Sequence, residues 1–194
     1  MPLPEDAVSY PLQPTLPLFA DATTTVSVRL GGADISECGN YRYRLWREWD
    51  SSNPKRACFA LLNPSTANST DDDPTVRRCI QFAIDFGCGA LDVINLFAWR
   101  ATDPRQLMRG TIAAMIGPDN DNAIGRVAAK ASVVIAAWGA MPYLHSHLTP
   151  RALAVERQLR GIGALHALKL TKDGHPSHPL YLRGSLRPVP WIHQ

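Results

Sequence analysis

The sequence predicts an α/β domain: three layers, α/β/α, around a central, mostly parallel four-stranded sheet. Three observations carry that expectation. Four short, near-continuous apolar runs occupy residues 57–62, 91–97, 132–138 and 164–170. Segments with helical apolar spacing alternate with them, the pattern of a parallel sheet covered on both faces. Polar residues out of place in a core gather where each run ends, at Asn63, Asn95, Gly139 and residues 172–178. In open α/β sheets, ligands bind beyond the carboxyl ends of the strands, so this edge is the expected site.

The elements follow in order. Residues 1–20 contain Pro2, Pro4, Pro11, Pro14 and Pro17 and read as an extended or disordered arm before a single domain over 21–194. Residues 41–49 begin with Tyr-Arg-Tyr-Arg alternation and are rich in aromatics. They read as an edge strand packing on the core, with arginines facing solvent or a phosphate backbone. Residues 74–86 place Val76, Cys79, Ile80 and Ala83 at helical spacing, with Asp73 as N-cap and Pro74 at the first helical position. A second helix is expected over 120–131, through Ile124, Val127, Ala128 and Ala131. A third is expected over 149–160, capped by Thr149 and ended by Gly161. The last apolar run leads into Gly174-His175-Pro176-Ser177-His178-Pro179, where two prolines stiffen a loop carrying two histidines.

Composition limits the function classes. The chain is 45% hydrophobic and 19% charged, ordinary for a soluble globular protein, and no apolar stretch reaches the roughly 18 residues of a membrane span. The N-terminus lacks the pattern of a secretory signal. Cys38, Cys58, Cys79 and Cys88 form no CxxC pair, so they read as free thiols in a reducing cytoplasm rather than a metal or iron–sulfur site. The net charge is +3, but residues 140–194 hold seven basic and two acidic residues, compatible with a polyanionic partner. Nothing signals oligomerisation, and a monomer is the expectation.

The converging edge has two asparagine amides, two histidines and nearby carboxylates, with no serine nucleophile elbow, glycine-rich phosphate loop or metal triad. An asparagine carbonyl can hold a water, or its amide can read a base edge. A fixed histidine can donate to an oxygen that gains charge. Together these suit hydrolysis of an N-glycosidic bond.

These residues resemble the uracil-DNA glycosylase superfamily over roughly residues 55–185. Leu61-Leu62-Asn63-Pro64-Ser65 is similar to its first motif, and Val93-Ile94-Asn95-Leu96 with Arg100-Ala101-Thr102-Asp103-Pro104 to its central strand. Residues 133–139 are similar to its apolar strand ending in Trp-Gly, and His175-Pro176-Ser177 to the start of its last motif. The chain from about Tyr41 also resembles a bacterial and phage family catalogued only as a domain of unknown function, which supplies no activity.

The glycosylase resemblance implies a monofunctional enzyme without metal or organic cofactor, acting on a base flipped out of DNA. Asn63 would position water, with Asp73 or Asp72 able to supply a carboxylate. Asn95 would read the base beside Pro64, Ser65 and Phe97. His175 would stabilise the leaving group. His178 is an extra residue relative to that motif, so either histidine could do so. Arg77, Arg78, Lys172, Ser177 and Arg183 would hold phosphates, and Leu180 or Tyr181 would fill the vacated stack. Strict uracil enzymes carry a tyrosine where Ser65 stands, so the expected substrate is a 5-substituted or otherwise modified pyrimidine. A nucleoside or nucleotide N-glycosidase, or a non-catalytic module for nucleic acid or modified bases, are the alternatives.

Overall fold

The computed structural model describes residues 30–65, 71–101, 103, 105 and 110–192. The proline-rich arm lies outside them. Among the described residues the chain folds as α/β, with a seven-stranded mixed sheet and five α-helices.

The strands are β1 (Leu30–Ile35), β2 (Arg42–Glu48), β3 (Arg56–Leu61), β4 (Ala90–Asn95), β5 (Val133–Ala136), β6 (Leu165–Ala167) and β7 (Val189–Pro190). Their order in the sheet is β1-β2-β4-β3-β5-β6-β7. β3 pairs in parallel with both β4 and β5, and β5 with β6. The β1–β2, β2–β4 and β6–β7 pairings are antiparallel. The expected sheet of four strands is thus corrected to seven. β1 opens Leu-Gly-Gly and β7 has two residues, so neither shows the apolar run that marks a buried strand.

The helices are α1 (Pro74–Asp85), α2 (Ile112–Ile116), α3 (Asn120–Ala128), α4 (Met141–Leu144) and α5 (Thr149–Ile162). β3 shows why the apolar runs are continuous. Ala57, Phe59 and Leu61 pack with Val76, Cys79, Ile80, Phe82 and Ala83 of α1. The alternate residues Cys58, Ala60 and Leu62 pack with Ile124 and Val127 of α3 and Val155 and Leu159 of α5. Successive side chains point to opposite faces, so a strand covered on both must be apolar throughout.

Three local expectations need correction. β2 lies between β1 and β4, so it is no edge strand. Its arginines do not simply face outward: Arg42 and Arg47 are each 2% exposed. Arg47 is held by Asp72, at 2.9 Å through Nε and 2.8 Å through Nη2, and its Nη1 donates to the Trp46 carbonyl. A paired guanidinium can be buried where a lone one cannot. Thr149 does not cap α5. It lies inside the first turn, and its hydroxyl donates to the Pro142 carbonyl at 2.8 Å. Asp73 does cap α1, accepting from the Val76 N–H at 2.8 Å.

The cysteines are free, with Cys58, Cys79 and Cys88 buried and Cys38 exposed. Burial pushes the three inner thiols up, away from the reactive thiolate. Among the described residues, no helix is long and apolar enough to cross a membrane.

Candidate functional site

β3 and β5 are neighbours and parallel, so the segments that leave their carboxyl ends emerge side by side. Between them lies a cavity of about 340 Å³. Its polar lining among the described residues is Arg42, Asn63, Ser65, Asp73, Thr75 and His178, and Trp138 and Met141 contribute apolar wall. The volume lies within the range of small-molecule sites.

Asn63 stands two residues past the end of β3. Its Nδ2 donates to the carbonyls of Ala101 at 2.8 Å and Pro64 at 3.1 Å. Both amide hydrogens are therefore committed, which fixes the side chain and leaves Oδ1 as its acceptor. The Ala101 N–H returns a bond to the Pro64 carbonyl at 3.0 Å, tying the two segments together.

Asp73 faces the same space from the start of α1. One oxygen caps the helix, and the other accepts from the Ser65 hydroxyl. A carboxylate has about four lone-pair positions, so acceptor capacity remains for a water or ligand. Arg42 enters from β2. Burial lowers its pKa to about 10, against the opposing pull of the Asp73 charge, so it remains a cation at neutral pH.

His178 closes the cavity. Its Nδ1 accepts from the Leu180 N–H at 3.4 Å and caps the short 3₁₀ turn Pro179–Tyr181. An accepting Nδ1 places the proton of the neutral ring on Nε2, which is then a donor. Burial lowers the His178 pKa, with the Asp73 charge opposing, so the neutral form prevails at pH 7. Gly139, at φ +76°, lies against it: a Cβ there would sit 3.7 Å from the His178 Cβ. The left-handed turn after Trp138 is a backbone that favours glycine.

His175 is placed differently. It does not line the cavity. Its ring stacks on Tyr143 with centroids 3.7 Å apart and planes 4° from parallel. Its backbone is fixed on both sides, with Thr171 N–H donating to its carbonyl at 2.8 Å and its own N–H to Thr171 Oγ1 at 3.1 Å. The stack joins the histidine loop to α4, whose start supplies Met141 to the cavity wall.

A family model described as "Protein of unknown function (DUF1643)" matches residues 42–180. The chain belongs to that family. The DUF1643 match runs from Arg42 past His178, so it contains every described residue that lines the cavity. No curated protein and no solved structure matches the chain.

Other expected site residues of this DUF1643 chain lie outside the cavity lining. Asn95 is 1% exposed at the end of β4, and its Nδ2 has no hydrogen-bond partner among the described residues. Asn120 donates to the carbonyls of Asn95 and Leu96, both at 3.0 Å, and Arg151 donates to Leu96 at 2.7 Å. Phe97 is fully buried in the core on the α3 and α5 side. Pro64 stands beside Asn63 and accepts through its carbonyl.

The expected phosphate contacts divide into two kinds. Lys172 and Arg183 are exposed. Arg78 instead lies 4.7 Å over the Phe82 ring and donates to the Leu182 carbonyl, and Arg77 donates to the Asp72 carbonyl. Ser177 donates its N–H to Lys169 at 2.8 Å. Tyr181 is 88% exposed, while Leu180 is half-buried.

Sequence reasoning did not find Arg42, Thr75, Met141 or Tyr143. The Tyr-Arg alternation marks Arg42 as part of a strand, but its burial depends on which strands flank it.

Proposed function

We propose that this protein is a monofunctional DNA glycosylase acting on a flipped, 5-substituted or otherwise modified pyrimidine, on a three-layer α/β/α scaffold like that of the uracil-DNA glycosylases. One observation carries the reading: Asn63, Asp73 and His178 line a single cavity beyond the carboxyl ends of β3 and β5.

The chemistry follows from their states. A water held by Asn63 Oδ1 and the Asp73 carboxylate attacks C1′ of the sugar. The C1′–N bond breaks, and its electron pair leaves with the base. His178 Nε2–H donates to the base oxygen that gains charge, and a neutral donor does this without a proton transfer. The water's proton passes to Asp73 and then to solvent. The negative charge of Asp73 also favours the cationic sugar that forms as the bond breaks. Trp138 and Met141 give the base an apolar wall, and Arg42 supplies a fixed cation to a base carbonyl or polar substituent.

His178 therefore takes the leaving-group role, and His175 positions it through the Tyr143 stack. Asn95, buried at the end of β4 and outside the cavity lining, does not read the base. Exposed Tyr181, on the turn that His178 caps, is the side chain suited to enter the stack that the base vacates, a step costing roughly a few kcal/mol.

The direct test is a gel assay on duplexes carrying modified pyrimidines. Alkali-sensitive breaks at one base type support the reading. Binding without abasic sites makes the protein a recognition module, and base release from mononucleotides alone makes it a nucleotide N-glycosidase. Ser65 is small and lines the cavity, so Ser65→Tyr should reduce release of bases with large 5-substituents at least tenfold while sparing small ones. Equal rates on both would remove Ser65 as a determinant of specificity.

A further inference from the structure

A second recess, of about 230 Å³, lies at the other end of the sheet. It is lined by Arg44 of β2, Arg56 at the start of β3, Asp92 of β4, Asp34 of β1, Arg126 and Val127 at the end of α3, and Lys130 just past it. Arg56 opens the strand that Leu61 closes at the cavity. At about 3.3 Å per residue, the two sites stand roughly 16 Å apart along β3.

The centre of the recess is built. Asp92 is 2% exposed in its side chain and holds two guanidiniums. Arg44 reaches its Oδ1 at 2.7 Å through both Nε and Nη2. Arg56 reaches its Oδ2 at 2.8 Å through Nε and extends Nη1 to Glu48 at 3.1 Å. A buried carboxylate gripped by two arginines is neutralised, and in return it fixes both forks in direction. Such orientation suits an anion site, because the arginines lose little freedom when a ligand arrives.

Arg126 and Lys130 are four residues apart and line the same recess. Neither side chain makes a hydrogen bond or ion pair among the described residues. Counting Glu48, four cations stand against three carboxylates, which leaves one positive charge before any ligand binds. A phosphate carries about one to two negative charges and several acceptor oxygens, enough to engage the two uncommitted cations and the outward N–H groups of Arg44.

We propose that this recess binds a phosphate group, held by Arg126, Lys130 and Arg44, with Asp92 orienting Arg44 and Arg56. The group belongs either to a nucleic-acid backbone or to a free phosphate or nucleotide. The site is separate from the cavity and does not depend on the glycosylase reading.

The test uses the full chain and an Arg126→Gln/Lys130→Gln double variant, whose substitutions are exposed and leave the buried network intact. Thermal unfolding is followed while inorganic phosphate is titrated against chloride at matched ionic strength. The wild type should show saturable stabilisation by phosphate, and the double variant should bind at least tenfold more weakly. Salt dependence of duplex binding then separates the sources. A fall of about 1–2 in the slope of log K against log salt in the variant assigns the phosphate to DNA. An unchanged slope with lost phosphate stabilisation assigns it to a free phosphate or nucleotide. Equal phosphate stabilisation of both proteins, with equal salt slopes, overturns the proposal and leaves the recess as a structural ion-pair network.

Discussion

The two histidines of one loop stand three residues apart and face different tasks. His175 is fixed by Thr171 on its backbone and Tyr143 on its ring. Its aromatic face is spent on packing, outside the cavity lining. His178 has one ring nitrogen spent on a helical cap and the other left as a donor, in a ring that lines the cavity with Asn63 and Asp73. Proline stiffening acts on both and does not distinguish them. The environment of each ring does: the His178 ring lines the cavity beside Asn63 and Asp73, whereas the His175 ring is stacked on Tyr143 outside it.

The sharpest way to break this contrast is to remove each ring. His178→Ala should lower the single-turnover rate of base release by about 100- to 1,000-fold, the usual effect of losing a donor to developing charge. DNA affinity should change little. A rate within threefold of wild type would exclude His178 from the chemistry. Asn63→Ala should follow at roughly 100-fold, since both its amide hydrogens are committed to holding one acceptor in place. Retained rate in single-turnover assays would place the water elsewhere.

His175 should behave on a smaller scale. An aromatic pair contributes about 0.5–1.5 kcal/mol, or roughly 2- to 12-fold. His175→Ala should cost that much in rate, and His175→Phe should restore it because the stack on Tyr143 survives. Loss in both variants as deep as in His178→Ala would mean that the imidazole of His175, not its face, is needed. That result would reverse the two assignments.

Much of this arrangement was legible in the chain. Three of the apolar runs mark β3, β4 and β5 because both faces of those strands are covered, and continuous apolarity is the one pattern that satisfies two cores. Asp73-Pro74 reads as a helix start because capping is local chemistry between neighbours. Asn63 and Ser65 stand where a strand meets a loop, so their convergence follows from strand order. What stayed hidden depends on contacts distant in sequence. Arg42 and Arg47 are buried because β1 covers the strand that sequence patterning puts at an edge. Arg47 also needs Asp72, 25 residues away. The split between His175 and His178 needs Tyr143, more than thirty residues upstream, whose partner no local pattern names. β7 is too short to carry a period at all.

The smallest expected effect is on stability against pH, and it tests the state of His178 without any substrate. Burial lowers its folded-state pKa below the unfolded value of about 6.5. Above pH 6.5 neither state binds the proton, so His178 adds no slope. As pH falls from 6.5 through the folded pKa, the unfolded chain takes up a proton that the folded one resists, and stability is lost. Below the folded pKa the loss levels off. Protonation also removes the Nδ1 acceptor that caps the 3₁₀ turn, which acts in the same direction. Unfolding titrations between pH 8 and 4 should therefore show a shallower decline in His178→Gln than in wild type. If His178→Gln declines as steeply as the wild type, burial does not hold the His178 ring neutral, and its role as a neutral donor fails.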